Sequence, residues 1–334
     1  MNYAAFQGWR EQRLREDPDL LDCADTQLYR ALAALQPGPA AVTDKVHRCD
    51  LARAWLERYG FPSEWSRRAL VCRGVRHALG LIFRELGRQG AALWLPGDVY
   101  PVYQELAHTH GLLPRRYDTL PAPALPAEAP ADGGEYLLIA NPWKPLGRFL
   151  SEQETSALLD WLEASPRRHL LIDAVYDLGA PFDAGTRRLL ASGRAMLLHS
   201  VTKGWLWPQT FGIALAGETQ HGFEAAFRDD PPTPAQLQLA QRLLAVEADR
   251  PRQIAAALAA RAARLFARLP IEVAAQAEAA ARECPGNYFF PVDLPAPVLA
   301  ERHRILAVPA SAFGARWQGS ILTCLSPAFA ETAA

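Results

Sequence analysis

The chain has 334 residues, half of them apolar, and a formal net charge of −1. That length allows two domains, or one large domain with a smaller one attached, and the apolar share supports a sizeable core without staples. The near-neutral balance gives no reason to expect a nucleic-acid partner, and no stretch approaches the roughly 18 uncharged apolar residues of a membrane span. The cysteines Cys23, Cys49, Cys72, Cys284 and Cys324 form no C-x-x-C pair and no zinc spacing, so no metal site is expected. With no apolar leader over Met1 to Asp17, they fit reduced thiols and a cytoplasmic location.

In chain order, the short apolar run ALVC at residues 69–72 reads as a strand that meets Gly74, and a helical pattern follows over 76–88. Residues 91–95 (AALWL) form the next strand, ended by Pro96-Gly97-Asp98, and 103–110 read as helix. The pairs Arg115-Arg116 and Arg167-Arg168 read as solvated surface. The Pro/Ala/Gly-rich stretch 120–134 reads as an extended connection. Strand YLLIA (136–140) ends in Asn141-Pro142. Ser151 and Glu154 have capping-box spacing for a helix reaching about Ala164. Strands LLID (170–173), AMLLH (195–199) and GIALA (212–216) complete the alternation. Helical patterns over 234–246 and 253–269 follow, the second with its arginines on the wet face.

Short apolar strands alternating with helices predict an α/β fold with a mostly parallel sheet covered on both faces. In such folds ligands gather at the carboxyl ends of the strands. Those ends here carry Gly74, Asn141, Asp173 with Tyr176, and Ser200 with Thr202 and Lys203. A lysine flanked by hydroxyls after a strand can meet a cofactor aldehyde and phosphate together, and lysine forms Schiff bases when its surroundings lower its pKa. Taken alone, the tetrapeptide reads more readily as a surface lysine in a polar turn. Asp173 at the end of an apolar strand needs a partner, either a cofactor's pyridinium nitrogen or the N–H groups of the next turn. Gly74 between strand and helix would present the N–H groups of Val75, Arg76 and His77 to a phosphate, although close packing explains such a glycine as well.

The order and spacing of these motifs resemble the class I/II aminotransferases of pyridoxal 5′-phosphate (PLP) fold type I, from about Val71 to Ala216, with a further match near the C-terminus. Val71-Cys72-Arg73-Gly74-Val75-Arg76 resembles the family's phosphate-cradling glycine turn. Pro96-Gly97-Asp98-Val99-Tyr100 resembles the stretch whose aromatic stacks on the cofactor ring, which falls on Tyr100. Asn141-Pro142-Trp143-Lys144-Pro145-Leu146-Gly147 resembles NPxNPTG, Asp173 to Tyr176 resembles D-x-x-Y, and Ser200 to Lys203 resembles S-x-[ST]-K. The resemblance implies a Schiff base on Lys203, with Asp173 on the pyridine nitrogen and Tyr176 on the phenolic oxygen. It also implies phosphate contacts from Gly74, Val75, Arg76, Ser200 and Thr202.

Three positions depart from the family pattern. Lys144 replaces the second Asn of NPxNPTG, and its ammonium could bond the phenolic oxygen or face substrate. Phe211 stands where an arginine holds the phosphate, leaving Arg73 or Arg76 as substitutes. Thr323 stands where an arginine clamps the substrate carboxylate, with Arg316 a displaced candidate. Trp205 and Trp207 could line a pocket or belong to the core.

The expectation is a large PLP-binding domain over 44–230 and a discontinuous small domain over 1–43 and 231–334. The resemblance implies a homodimer acting on a small amine or amino acid of atypical kind, by transamination first. A PLP decarboxylase or lyase on the same fold is the runner-up, and a degenerate, non-catalytic binding protein is the third reading.

Overall fold

The computed structural model describes residues 2–38, 45–99, 101–119, 123–127, 132–220, 222–284 and 286–330. Their strands are, in chain order, β1 (Leu21–Asp22), β2 (Ala69–Cys72), β3 (Ala92–Pro96), β4 (Arg115–Tyr117), β5 (Glu135–Ala140), β6 (Arg168–Asp173), β7 (Ala195–Ser200), β8 (Gly212–Leu215), β9 (Phe289–Val292), β10 (Ile305–Leu306), β11 (Val308–Pro309) and β12 (Ser320–Thr323). Seven of them make one sheet in the order β2-β8-β7-β6-β5-β3-β4. All pairings are parallel except those of β8, which runs antiparallel between β2 and β7.

The strands read as unbroken apolar runs because both faces of the sheet are covered. Successive residues of each strand fall into two different cores. Leu93, Leu138, Leu171, Met196 and Leu198 pack under the helix Val75–Gln89, through its Ala78, Leu79, Ile82, Phe83 and Leu86. Leu137, Ile139, Leu170, Ile172 and Leu197 face the helices Arg48–Arg58, Glu152–Glu163, Ala184–Ala191 and Pro234–Ala245. Each such leucine or isoleucine contributes about 1.5–3 kcal/mol by leaving water, against the entropy of ordering it. The helix Glu152–Glu163 starts with the reciprocal Ser151–Glu154 capping box that its sequence spacing predicts. Pro234–Ala245, expected in the small unit, instead puts Leu237, Ala240, Leu243 and Leu244 into the core of the large sheet.

A second core joins both ends of the chain. β9, β11 and β12 form a small antiparallel sheet, and β1 pairs in parallel with β10. Helices Tyr3–Glu16, Arg250–Phe266 and Ile271–Glu283 cover these strands through Phe6, Ile254, Leu258, Leu265, Val273 and Ala277. The N-terminal segment is thereby fixed beside the large sheet, with Tyr3, Thr26, Leu28 and Tyr29 at its carboxyl edge.

Arg115-Arg116 are exposed, as their sequence suggests, on β4, a short edge strand with no apolar pattern to announce it; Arg115 lies over the Trp94 ring at 5.4 Å. Two other arginines differ from expectation. Arg168 is buried, its charge held by Glu135 at 3.0 Å. In the helix Arg250–Phe266, Arg261 is buried rather than wet and donates to the backbone carbonyls of Cys324, Leu325 and Ser326 at 2.6–2.8 Å. The 120–134 connection lies partly outside the described residues; within it, Pro126 accepts from the Trp161 indole at 2.9 Å.

Candidate active site

The strand arrangement brings the sequence-predicted groups together. Gly212, at the start of β8, pairs with Cys72 on one side and Ser200 on the other. The chain leaving β2 and the chain leaving β7 therefore flank one glycine, and their next residues converge. Gly74 adopts φ +136°, a conformation that favours glycine. A Cβ there would lie 3.6 Å from Thr202 Oγ1 and 3.9 Å from Ser200 Cβ. Ser200 Oγ donates to Thr202 Oγ1 at 2.9 Å. The first N–H groups of the helix Val75–Gln89 open onto the same spot, so the cup is polar and partially positive.

This cup is one end of a cavity of about 970 Å³, which Gly74, Val75, Arg76, Asp173, Tyr176, Ser200, Thr202 and Lys203 all line. Arg76 is exposed at its edge. Arg73 is not free: Asp230 holds it through both oxygens at 2.5 and 3.0 Å, and also bonds His77 Nε2 at 3.1 Å.

Asp173 ends β6 inside the cavity. Its Oδ2 accepts from the Tyr103 hydroxyl at 2.7 Å and its Oδ1 from the Val175 N–H at 3.0 Å. Burial still pushes the carboxyl up to about 6, against these hydrogen bonds. Lys203 Nζ lies 5.1 Å from the centre of the Tyr176 ring and 5.0 Å from that of Tyr29. Burial pulls its ammonium down, but the Tyr176 and Tyr29 phenols outweigh it and leave the pKa above the ordinary lysine value. The lowered pKa expected of a Schiff-base lysine belongs instead to Lys144, where burial brings it down to about 8.

Lys144 enters the same cavity from the loop after β5. Its Nζ donates to Asn287 Oδ1 at 2.6 Å and lies 4.9–5.3 Å from the ring centres of Tyr176, Tyr288 and Phe289. Asn287 is itself locked. Its amide donates to the carbonyls of Gly147, at 2.9 Å, and Phe289, while its oxygen accepts from the N–H groups of Tyr288 and Phe289. Gly147, at φ +68°, is required for this contact, because a Cβ there would collide with the Asn287 amide.

Other predicted residues do not join the site. Asn141 is fully buried and turned away: its amide donates to Asp183 and Thr186 at 3.0 and 2.8 Å, and its oxygen takes the Leu150 N–H. It ties the loop after β5 to the helix Ala184–Ala191 and does not line the cavity. Tyr100 lies outside the described residues. Phe211 is core. Thr323 is buried against the second core, donating to the Asp25 carbonyl at 2.6 Å. Arg316 is on the surface, 3.3 Å from Asp118. Trp205 is core, its indole on the Glu247 carbonyl, and Trp207 packs on that core. Tyr103, Asn287, Tyr288 and Tyr29 are site residues that sequence reading missed. The repeated tyrosine of Val99-Tyr100-Pro101-Val102-Tyr103 carried a signal for the first of them.

The profile of the family described as aminotransferase class I and II matches residues 39–331. The chain belongs to this family. It is a PLP-dependent aminotransferase-like enzyme, with the fold type I arrangement of a large, mostly parallel sheet. No curated protein matches it. Among solved structures it is similar to a Thermus thermophilus aspartate aminotransferase double mutant, with 17% identity over 98% of this chain and 93% of that one and a TM-score of 0.67. It is similar to tyrosine aminotransferase from Leishmania infantum, with 14% identity over 92% and 88% and a TM-score of 0.67. A Mycobacterium tuberculosis aminotransferase shares 17% identity over 98% and 95%, at a TM-score of 0.64. At these identities the likeness is one of fold. Among the described residues, no helix is long and apolar enough to cross a membrane, and no cluster of metal-ligating side chains occurs.

Proposed function

We propose that this enzyme binds PLP through Lys203 and transfers the amino group of an amine or amino acid that carries no second carboxylate. The observation that carries the reading is the meeting of Lys203, Asp173 and Tyr176 in one cavity beside the cup of Gly74, Ser200 and Thr202. The residues fit the cofactor. The cup offers backbone N–H groups and hydroxyls to a phosphate, with Arg76 at its edge in place of the arginine lost at Phe211. Asp173, buried without a cation, suits a protonated pyridine nitrogen, and Tyr103 fixes the orientation of its carboxylate.

When bound, the pyridine ring would supply the electron sink for the pair left on the substrate α-carbon. The chain's own residues do the rest. Asp173 keeps a proton on the ring nitrogen. Tyr176 would donate a hydrogen bond to the phenolic oxygen. Lys203 moves a proton from the substrate α-carbon, as general base and then acid. The low-dielectric walls strengthen each of these contacts. The reading also includes a homodimer, supported by the family to which the chain belongs and checked by light scattering.

The experiment is a half-reaction. The purified protein, loaded with PLP, is mixed with glutamate, phenylalanine and simple alkylamines while its visible absorbance is followed. A band that bleaches with phenylalanine or an alkylamine, with a carbonyl product formed, is the expected result. Release of carbon dioxide without a keto acid, or efficient use of glutamate, would overturn it.

A further inference from the structure

We propose that Lys144, held by Asn287, is the group that receives the substrate's carboxylate, and that the substrate is a monocarboxylate with an apolar body. The proposal rests on the reading of the site given above.

The first ground is an unmatched charge. Lys144 forms no ion pair among the described residues. Of its three N–H donors one goes to Asn287, and none of the others has a partner among the described residues. The acid lining the cavity, Asp173, has its oxygens occupied by Tyr103 and Val175. A half-buried ammonium that rests only on an amide oxygen and three ring faces is incompletely solvated, and an arriving anion relieves that cost. The burden on the charged form is visible in the fall of its pKa to about 8.

The second ground is preorganisation. Asn287 cannot turn away, since four backbone groups fix both ends of its amide. The ammonium is therefore held beside Tyr176, next to the reacting lysine, before any ligand arrives.

The third ground is elimination among the cations. Arg316 faces Asp118 on the surface, and Arg261 is committed to three carbonyls. Arg73 is neutralised by Asp230, and Arg76 lies at the phosphate cup. Once Lys203 is joined to the cofactor, Lys144 is, among the described residues that line the cavity, the remaining cation away from the cup. One cation serves one carboxylate. The lining residues Tyr3, Thr26, Gln27, Leu28, Tyr29 and Phe313 are apolar, phenolic or neutral polar and offer no charge to a second. A lysine is a point charge rather than a two-pronged fork, so it holds the carboxylate without fixing its plane.

The test uses the full chain loaded with PLP and two probes titrated by calorimetry, 3-phenylpropionate and 3-phenyl-1-propanol. The wild type should prefer the carboxylate. Lys144→Gln should lose carboxylate affinity by about tenfold to a hundredfold, as expected for one charged hydrogen bond, and keep its affinity for the alcohol. Lys144→Arg should recover most of the loss. Carboxylate affinity should also fall as pH rises through about 8, because the ammonium is then lost. The titratable groups around it are Lys203, Tyr176, Tyr288, Cys284 and Cys324, so Lys144→Gln must abolish that dependence. Equal binding of 3-phenylpropionate by Lys144→Gln and wild type, or equal loss of both probes, overturns the assignment of Lys144 alone. A chain that takes up no PLP overturns the reading of the whole site.

Discussion

At the amino ends of β5 and β6, Glu135 and Arg168 stand opposite each other in the parallel register, both buried, with their charges 3.0 Å apart. The Trp94 indole also donates to Glu135, and Arg168 also donates to the Trp161 and Pro126 carbonyls. At the carboxyl ends of the same sheet, Asp173 is buried and Lys203 and Lys144 are half-buried, yet no ion pair joins them among the described residues. Both ends carry charge on the same apolar strands. At one end the charges match each other and belong to the fold; at the other they are left open for something the chain does not contain. Buried charge by itself is no sign of function, whereas buried charge without a partner is costly and points to a ligand.

Breaking the matched end should give the largest effect. Arg168→Leu leaves Glu135 buried without its cation, and should cost about 3–5 kcal/mol in a denaturant melt. Adding Glu135→Leu should restore much of that loss; no recovery would mean the pair is not the cause. Thr323→Arg is the next test. Because Thr323 is fully buried and hydrogen-bonded to Asp25, an arginine there should cost about 1–3 kcal/mol through overpacking instead of creating a clamp. Better turnover of glutamate by a stable Thr323→Arg protein would contradict that packing.

Changes at the open end should be smaller and of opposite sign. In the chain without cofactor, Lys144→Met should raise stability at pH 7 by about 1–2 kcal/mol while weakening carboxylate binding. The sign follows from linkage. The folded pKa of about 8 lies below the ordinary 10.5, so the unfolded chain binds more protons between them. The gain should therefore be full below pH 8 and vanish as pH rises past the ordinary value. Asp173→Asn should behave as the mirror image. The folded pKa of about 6 lies above 3.8, so the carboxylate costs stability above pH 6 and the gain disappears in acid. Thermal melts across pH would check both, and destabilisation by either variant at pH 7.5 would break the comparison.

Much of the sheet was legible because its strands are short, apolar and separated by helices with clear periods. Ser151 and Glu154 even announced their capping box. β4 was not legible, since an exposed edge strand reading Arg115-Arg116-Tyr117 has no apolar alternation. Arg168 and Arg261 were misread because a buried arginine depends on acceptors that come from distant chain, Glu135 in one case and residues 324–326 in the other. The site divides in the same way. Gly74, Asp173, Tyr176 and Lys203 follow strand ends and could be found by local spacing. Asn287, Tyr29 and the isolation of Lys144 depend on how the second core closes over the sheet, which no local pattern states. Asn141 matched a motif, yet its role is to brace the loop that carries Lys144.

Two lysines share the cavity, Lys203 proposed for the Schiff base and Lys144 for the substrate carboxylate. The most direct test loads the full chain with PLP, reduces it with borohydride and maps the labelled peptide by mass spectrometry, for the wild type and Lys203→Ala. The expected result is a pyridoxyl group on Lys203 alone, with both the label and the visible band lost in Lys203→Ala. A label on Lys144, or a Lys203→Ala protein that keeps its band and its turnover, would contradict the account.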